Sequence, residues 1–425
     1  MSWKEIKIGD LGEVVTGNTP LTSDRENYGG PYPFIKPTDM ELDRRRVTQW
    51  EETYSEKAFK KFKNAYIPAG STGVVTIGTV GEKIFQADRD CFTNQSVNVV
   101  IPSSDFDKDF VYYLLKYNLP KVANANPGTA SGRHHVSKSN FCSIKVSVPI
   151  KKAQEKIGKI LAAYDDLIEN NLKRIELLEE LAQRTYEEWF VKFKVNGKQL
   201  EINEETGLPL GWETKTINEC CKVSGGGTPS REVVEYWENG IISWFSPTDL
   251  SKSKSLYQID SSEKITEKGL EKSSAKLLHP DSFMMTSRAT IGLFAIIDRP
   301  FSTNQGFINV TPFQITHKEF LLYNFITRID EFKGYATGAT FPELSKSKFK
   351  ALDIIWPTSN ILREFHTVIK PQHQMIGCLT KQNQLLKDAR DILLPRLMNG
   401  EIDVEDYQEE LATAAEPKLH YNLKK

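Results

Sequence analysis

KKAQEKIGKILAAYDDLIENNLKRIELLEELAQRTYEEWF, residues 151–190, contains no proline and a single glycine, Gly158, near its start. Apolar side chains recur at alternating steps of four and three: Ile157, Leu161, Tyr164, Ile168, Ile175, Leu178 and Ala182, with Asn171 on the same seam. That is the heptad stripe of a helix that packs along another helix. At about 1.5 Å per residue the stretch makes a rod of roughly 60 Å, longer than the core of one small domain can cover, so it needs a partner. A second seam near the C-terminus supplies one: Ile369, Ile376, Leu379, Asn383, Leu386 and Leu393, with Pro371 placed to open that helix at its first turn. One heptad helix in mid-chain and one at the end predict an intramolecular antiparallel coiled coil with globular units beside it.

The rest of the chain is one pattern written twice. WKEIKIGDLGEVVTGNTP, from Trp3, is answered by WETKTINECCKVSGGGTP, from Trp212. Pro37-Thr38-Asp39 recurs as Pro247-Thr248-Asp249, and Thr93-Asn94-Gln95 as Thr303-Asn304-Gln305. Gly78-Thr79-Val80-Gly81 answers Ala289-Thr290-Ile291-Gly292, and the aromatic run at Phe110 answers the one at Phe320. Ser137-Lys138-Ser139 with Phe141 matches Ser345-Lys346-Ser347 with Phe349, and Pro149 matches Pro357. The shift stays at about 210 residues throughout and carries Ile168 onto Ile376 and Leu178 onto Leu386, so the heptad helices belong to the repeat. The chain is a tandem duplication.

Within each copy, short β-like runs (Ser96 to Ile101, Phe307 to Val310) are followed by an amphipathic helix near 108–118 or 318–328. Ser137 and Ser345 read as helix N-caps or turn residues. The expected class is α+β, a pseudo-twofold tandem repeat: globular domains over 1–150 and 196–358, the second including a connection from Val195 to Gly211, heptad helices over 151–195 and 359–403, and an acidic, mobile tail over 404–425.

Composition narrows the function. The chain has 425 residues, 39% hydrophobic and 26% charged, which suits a soluble protein of two or three domains. The opening MSWKEIKIGD lacks the apolar core of a signal peptide, and no apolar run is long enough to span a membrane, so a cytoplasmic location is expected. Five cysteines without a C-x-x-C pair indicate neither a disulfide framework nor a structural zinc site. Net charge is −1, but Arg44-Arg45-Arg46, Lys57 with Lys60, Lys61 and Lys63, and Lys346 with Lys348 and Lys350 form basic clusters; such clusters are more often solvated faces than binding sites.

Catalytic signatures do not stand out. No G-x-x-x-x-G-K-[ST] cradles a phosphate, and Gly225-Gly226-Gly227 lacks dinucleotide-binding spacing and reads as a turn. No N-P-P-aromatic tetrapeptide of an amino-methyltransferase occurs; Asn126-Pro127-Gly128 is a turn. The adjacent His134 and His135 are poorly placed to chelate one metal.

With these features together, the sequence resembles the specificity subunit of type I restriction-modification enzymes over nearly its full length. The likeness is carried by the opening Trp with Gly-x-Thr-Pro in both halves (Trp3 to Pro20, Trp212 to Pro229), the Thr-Asn-Gln pairs and the Ser-Lys-Ser-x-Phe segments. Leu181 to Phe190, LAQRTYEEWF, and Ala389 to Asp403, ARDILLPRLMNGEID, look typical of the family's two helical regions. The resemblance implies that each globular half is a target-recognition domain reading one half of a bipartite, asymmetric site on double-stranded DNA. It implies helices that space the domains and dock two methylation subunits; Ile157, Leu161, Tyr164, Ile168, Ile175, Leu178, Ile376, Leu379, Leu386 and Leu393, read from the heptad seams, are the coiled-coil or partner-binding candidates on them. Adenine methylation with S-adenosylmethionine, and ATP- and Mg-dependent translocation and cleavage by restriction subunits, then belong to the partners. This chain is expected to bind no cofactor or metal of its own, to catalyse nothing and to meet no membrane.

Unlike half-sites imply unlike reading surfaces. Where the first copy has Arg133-His134-His135, the second has Phe341-Pro342-Glu343. Arg can donate two hydrogen bonds to guanine and His can contact a base or phosphate, so a base-reading role and a plain divergent surface loop both stand. The amides of Asn94-Gln95 and Asn304-Gln305 suit adenine edges, but both copies keep them, which favours a structural turn. Arg288, Lys138 and Lys346 are candidates for phosphate contacts. Thr72 to Val74 is taken as the first copy's counterpart of Thr286-Ser287-Arg288.

Overall fold

The computed structural model describes residues 2–125, 134–253, 255–338 and 342–404. The chain forms two compact units, Met1–Asn170 with Gln384–Lys425, and Asn171–Asn383. Each unit combines one globular head with part of each long helix.

The heads share a topology. In unit one, Trp3–Lys7 pairs antiparallel with Lys145–Pro149. A four-stranded antiparallel sheet runs Gly12–Thr16, Val97–Pro102, Thr72–Val75, Ile84–Gln86, and a three-stranded sheet runs Glu52–Tyr54, Tyr28–Ile35, Phe92–Thr93, the last pairing parallel. Unit two repeats the same three sheets. Glu213–Thr216 pairs with Asp353–Trp356; the four-stranded sheet is Cys221–Gly225, Phe307–Pro312, Phe283–Thr286, Phe294–Ala295; the three-stranded one is Glu263–Ile265, Ile242–Phe245, Phe301–Thr303. The last strand of each head shows period-two burial: Val146 and Val148 point inward in one, Ile354 and Trp356 in the other. Helices form at Lys108–Tyr117 and Lys318–Thr327 as expected, but they are enclosed rather than amphipathic: Phe110 to Leu115 and Glu319 to Phe325 are buried without a break. Ser137 and Ser345 are N-caps, their hydroxyls accepting from the Asn140 and Lys348 amides.

The central helix runs Lys151–Tyr186 and continues through one π turn, Glu187–Val191, that buries Trp189 and Phe190 side by side. In unit one its Ile157 and Leu161 pack with Phe110 to Leu115 and with Leu394, Leu397 and Met398 of the terminal helix. In unit two its Ile175, Ala182 and Tyr186 pack with Phe320 to Tyr323 and with Leu362, Phe365, Ile369, Ile376 and Leu379. Each fully buried Leu, Ile or Phe contributes roughly 1.5–3 kcal/mol, so head and rod share one core and cohere as a unit.

The helix segments pair antiparallel in both units. In unit one Lys156 Nζ donates to the Val404 carbonyl at 2.8 Å, and Arg390 is ion-paired with Asp165. In unit two Asn171 Nδ2 donates to Asn383 Oδ1 at 2.9 Å and to Gln382 Oε1 at 3.0 Å, while Asn196 Nδ2 reaches Glu364 at 2.6 Å.

Two details of the terminal helix differ from expectation. It spans Ser359–Met398, so Pro371 lies inside it rather than at its first turn. An interior proline removes one backbone hydrogen bond and costs about 3 kcal/mol; the buried Leu362, Phe365 and Ile369 upstream of it hold the helix together. Leu386 and Leu393 are half-buried, and the closed positions near them are Asn383, Arg390, Leu394 and Leu397. Tyr164 and Leu178 are also half-buried, whereas Ile157, Leu161, Ile168, Ile175, Ile376 and Leu379 are buried.

Candidate nucleic-acid interface

The repeated Gly-x-Thr-Pro and Thr-Asn-Gln segments meet as two crossed loops in each head. In unit one the Asn18 amide donates to the Thr93 carbonyl at 3.0 Å, and the Thr19 hydroxyl donates to Gln95 Oε1. In unit two the Gly227 amide donates to the Thr303 carbonyl at 2.9 Å, and the Thr228 hydroxyl to Gln305 Oε1 at 2.6 Å. The crossing demands glycine. A Cβ on Gly17 would stand 2.2 Å from the Thr93 and Asn94 carbonyl oxygens, and one on Gly226 would stand 2.0 Å from that of Thr303.

The asparagines close a turn beside the crossing: Asn94 Oδ1 accepts from the Ser96 amide at 3.1 Å, and Asn304 Oδ1 from the Gly306 amide at 2.8 Å. Gln95 and Gln305 are exposed; with each carbonyl oxygen engaged by threonine, the amide nitrogen is held as an outward donor. Lys138 and Lys346 are exposed on the short helices after the serine caps. Lys346 lies over Gly225, where a Cβ would come within 2.5 Å of Nζ, so its ammonium neighbours the crossed loops.

The divergent residues also occupy a shared backbone frame. Ile77 and His135 form an antiparallel bridge in unit one, and Arg288 and Glu343 form one in unit two. The Gly78 amide donates to the His134 carbonyl, and the Ala289 amide to that of Pro342, both at 3.1 Å. The counterpart of Arg288 is therefore Ile77, not a residue of Thr72 to Val74; those three lie in the buried strand Thr72–Val75, which matches Phe283–Thr286. Arg133 and Phe341 lie outside the described residues. His134, His135, Pro342 and Glu343 are exposed.

Two of the three arginines at 44–46 turn inward, Arg45 and Arg46, while Arg44 pairs with Glu41 at the surface. The Arg45 side chain is 1% exposed; its Nε donates to Gln86 Oε1 at 2.8 Å and its Nη2 to Asp109. Arg46 pairs with Asp166 and Glu169; burial works against its charge, but the two carboxylates hold it more firmly protonated than a free guanidinium. Lys57 is paired with Asp24 and Glu26. These cations tie the head of unit one together.

A second repeated contact went unread in the sequence. Tyr113 donates to Asp165 Oδ2 at 2.6 Å in unit one, and at the equivalent positions of unit two Tyr323 bonds His373 Nε2 at 2.9 Å. Each joins its head to a long helix. A signal was present: Arg390 stands seven residues beyond Asn383 on the predicted seam. Among the described residues no group of three or more His, Cys, Asp or Glu side chains could hold a metal ion, and no helix is long and apolar enough to cross a membrane.

The family model for the type I restriction modification DNA specificity domain matches residues 1–180 and 209–387, one match on each copy of the repeat. The chain is 29% identical over 424 residues to the type I restriction enzyme MjaIX specificity subunit of Methanocaldococcus jannaschii, covering 95% of this chain and 94% of that protein. It is 24% identical to the HindI specificity subunit of Haemophilus influenzae, covering 94% and 99%. The fold is similar to the crystal structure of a type I restriction-modification S subunit from M. genitalium, with a TM-score of 0.62 at 17% identity, covering 93% of this chain and 96% of that one. The chain belongs to the type I restriction-modification specificity subunit family. Its role is DNA target recognition within such a system, not catalysis.

Proposed function

We propose that each unit reads one half of a bipartite, asymmetric double-stranded DNA target, and that the chain thereby directs adenine methylation and ATP-dependent cleavage by partner subunits. The observation that carries this reading is the duplicated frame with altered chemistry: the same bridged backbone presents Ile77 and His135 in one unit and Arg288 and Glu343 in the other. Contacts kept in both copies suit the phosphate backbone, which is alike everywhere, and contacts that differ suit bases. On that division Gln95, Gln305, Lys138 and Lys346 position the duplex, while Asn94 and Asn304 shape the loop that presents the glutamines.

Two methylation subunits are supported by exposed apolar side chains at matching places on the helices. Leu167 and Met375 are equivalent in the repeat and 41% and 43% exposed; Leu177 and Leu385 are equivalent and 54% and 69% exposed. Repeated apolar exposure of this kind suits docking of two copies of one partner. On this reading the chain binds no cofactor: S-adenosylmethionine is used by the methylation subunits, ATP and Mg by the restriction subunits. Selection from a random duplex library by the reconstituted methylation assembly tests the proposal. A motif of two unlike half-sites around a fixed unread gap is expected; enrichment of one contiguous motif, or of none, would overturn it.

A further inference from the structure

Two backbone hydrogen bonds fix the same small frame in both heads. In unit one they run from Val136 to the Thr76 carbonyl and from Gly78 to that of His134, and together make the Ile77–His135 bridge; in unit two they run from Leu344 to Ser287 and from Ala289 to Pro342, and make the Arg288–Glu343 bridge. The turn residue has a positive φ in both, 88° at Gly78 and 62° at Ala289. Alanine adopts that conformation at a cost of about 1–2 kcal/mol, so unit two keeps the frame even where the residue opposes it. On this fixed frame the side chains have changed from apolar and imidazole to guanidinium and carboxylate.

Stability does not account for the change. Arg288 Nε and Glu343 Oε2 are 3.9 Å apart and each side chain is about half exposed, a geometry that contributes little. The Glu343 backbone is already engaged on both sides, donating to and accepting from Thr337 at 2.9 and 3.1 Å. What the pair leaves free to meet a ligand is side-chain chemistry: a planar fork of donors next to an acceptor. A G·C pair presents the complement in the major groove, with guanine O6 and N7 as acceptors and cytosine N4 as a donor.

We propose that Arg288 and Glu343 together read one G·C pair in the half-site of unit two, Arg288 donating to guanine and Glu343 accepting from cytosine. Ile77 in unit one offers no donor at the place of Arg288 and leaves the corresponding position of its own half-site without that guanine requirement. This rests on the DNA-reading function proposed above and assigns residues and a base pair to it.

The library selection, repeated with Arg288→Ala, Arg288→Lys and Glu343→Gln assemblies, tests the assignment. The wild-type assembly is expected to enrich an invariant G·C pair at one position of one half-site. Arg288→Ala should lower the guanine preference there by about tenfold or more, Arg288→Lys by less, because lysine also donates to guanine but without the planar fork, and Glu343→Gln should relax the same position, with every other position unchanged. An Arg288→Ala assembly with an unchanged motif would make Arg288 a phosphate contact and overturn the assignment. A uniform loss of affinity on all sequences would do the same, and thermal melts that match wild type show that the variants are folded. If the wild-type assembly enriches no bipartite motif, the DNA-reading proposal falls and this one with it.

Discussion

Replacing Arg390 by methionine removes the cation from an ion pair enclosed in unit one. The side chains of Arg390 and Asp165 are 1% and 2% exposed, and Asp165 also accepts from the Tyr113 hydroxyl at 2.6 Å. Methionine fills similar volume but leaves Asp165 as a buried charge without its guanidinium partner, which costs roughly 3–5 kcal/mol. For a cooperative unit of about 210 residues, each kcal/mol lowers the melting temperature by about 2–4 °C, so a drop of roughly 6–20 °C is expected. Calorimetry of the full chain measures it, and hydrogen exchange of the 108–117 helix assigns the loss to unit one. Adding Asp165→Leu should recover all but about 1–3 kcal/mol, the cost of the Tyr113 hydroxyl left without its acceptor. A loss under 1 kcal/mol for Arg390→Met, or a double variant no more stable than the single one, would refute the reasoning.

Other consequences follow from the same geometry. Burial holds His373 neutral down to about pH 4, although Glu319 pulls the other way; the unfolded chain takes up this proton near pH 6.5, so stability from this group is complete above pH 6.5 and falls by on the order of 3 kcal/mol toward pH 4. Urea titrations across that range should show a shallower loss for His373→Gln, and identical slopes would contradict the assignment. Gly226→Ala forces a methyl group against the Thr303 carbonyl and should destabilise unit two by about 1–3 kcal/mol, whereas Gly334→Ala, with open space around it on a helix, should be neutral or slightly stabilising in the same melt. With a net charge of −1, the isolated chain is expected to bind DNA weakly at physiological salt and the methylation assembly tightly, each with a marked salt slope in fluorescence anisotropy; equal nanomolar affinity for both would be the contrary result.

Much of this architecture was legible because it is periodic or repeated. The heptad seams put Asn171 and Asn383 on facing stripes, and they meet at 2.9 Å. The duplication predicted two heads of one topology. Pro371 misled because a local helix-breaking preference was outweighed by buried Leu362, Phe365 and Ile369, which are core only once the head has folded against the helix. The arginines at 44–46 looked like a surface patch because sequence shows charge but not its partners; Asp109, Asp166 and Glu169, which engage Arg45 and Arg46, lie 64 to 123 residues away. The crossed loops were half visible: both segments recur at one shift, but the Thr19–Gln95 contact spans 76 residues and no local pattern announces it. Arg288 was matched to the wrong stretch although the pairing of Gly78 with Ala289 already sets Ile77 opposite it, and the backbone bridges agree with that pairing.

The most direct test of the central claim is a genome-wide map of methylated adenines in cells expressing the partner subunits, with this gene intact and then deleted. The account predicts a methylated motif of two unlike half-sites around a fixed unread gap, present with the gene and absent without it. A map that does not change on deletion while the partner subunits are expressed, or a lost motif that is one contiguous block, would contradict it.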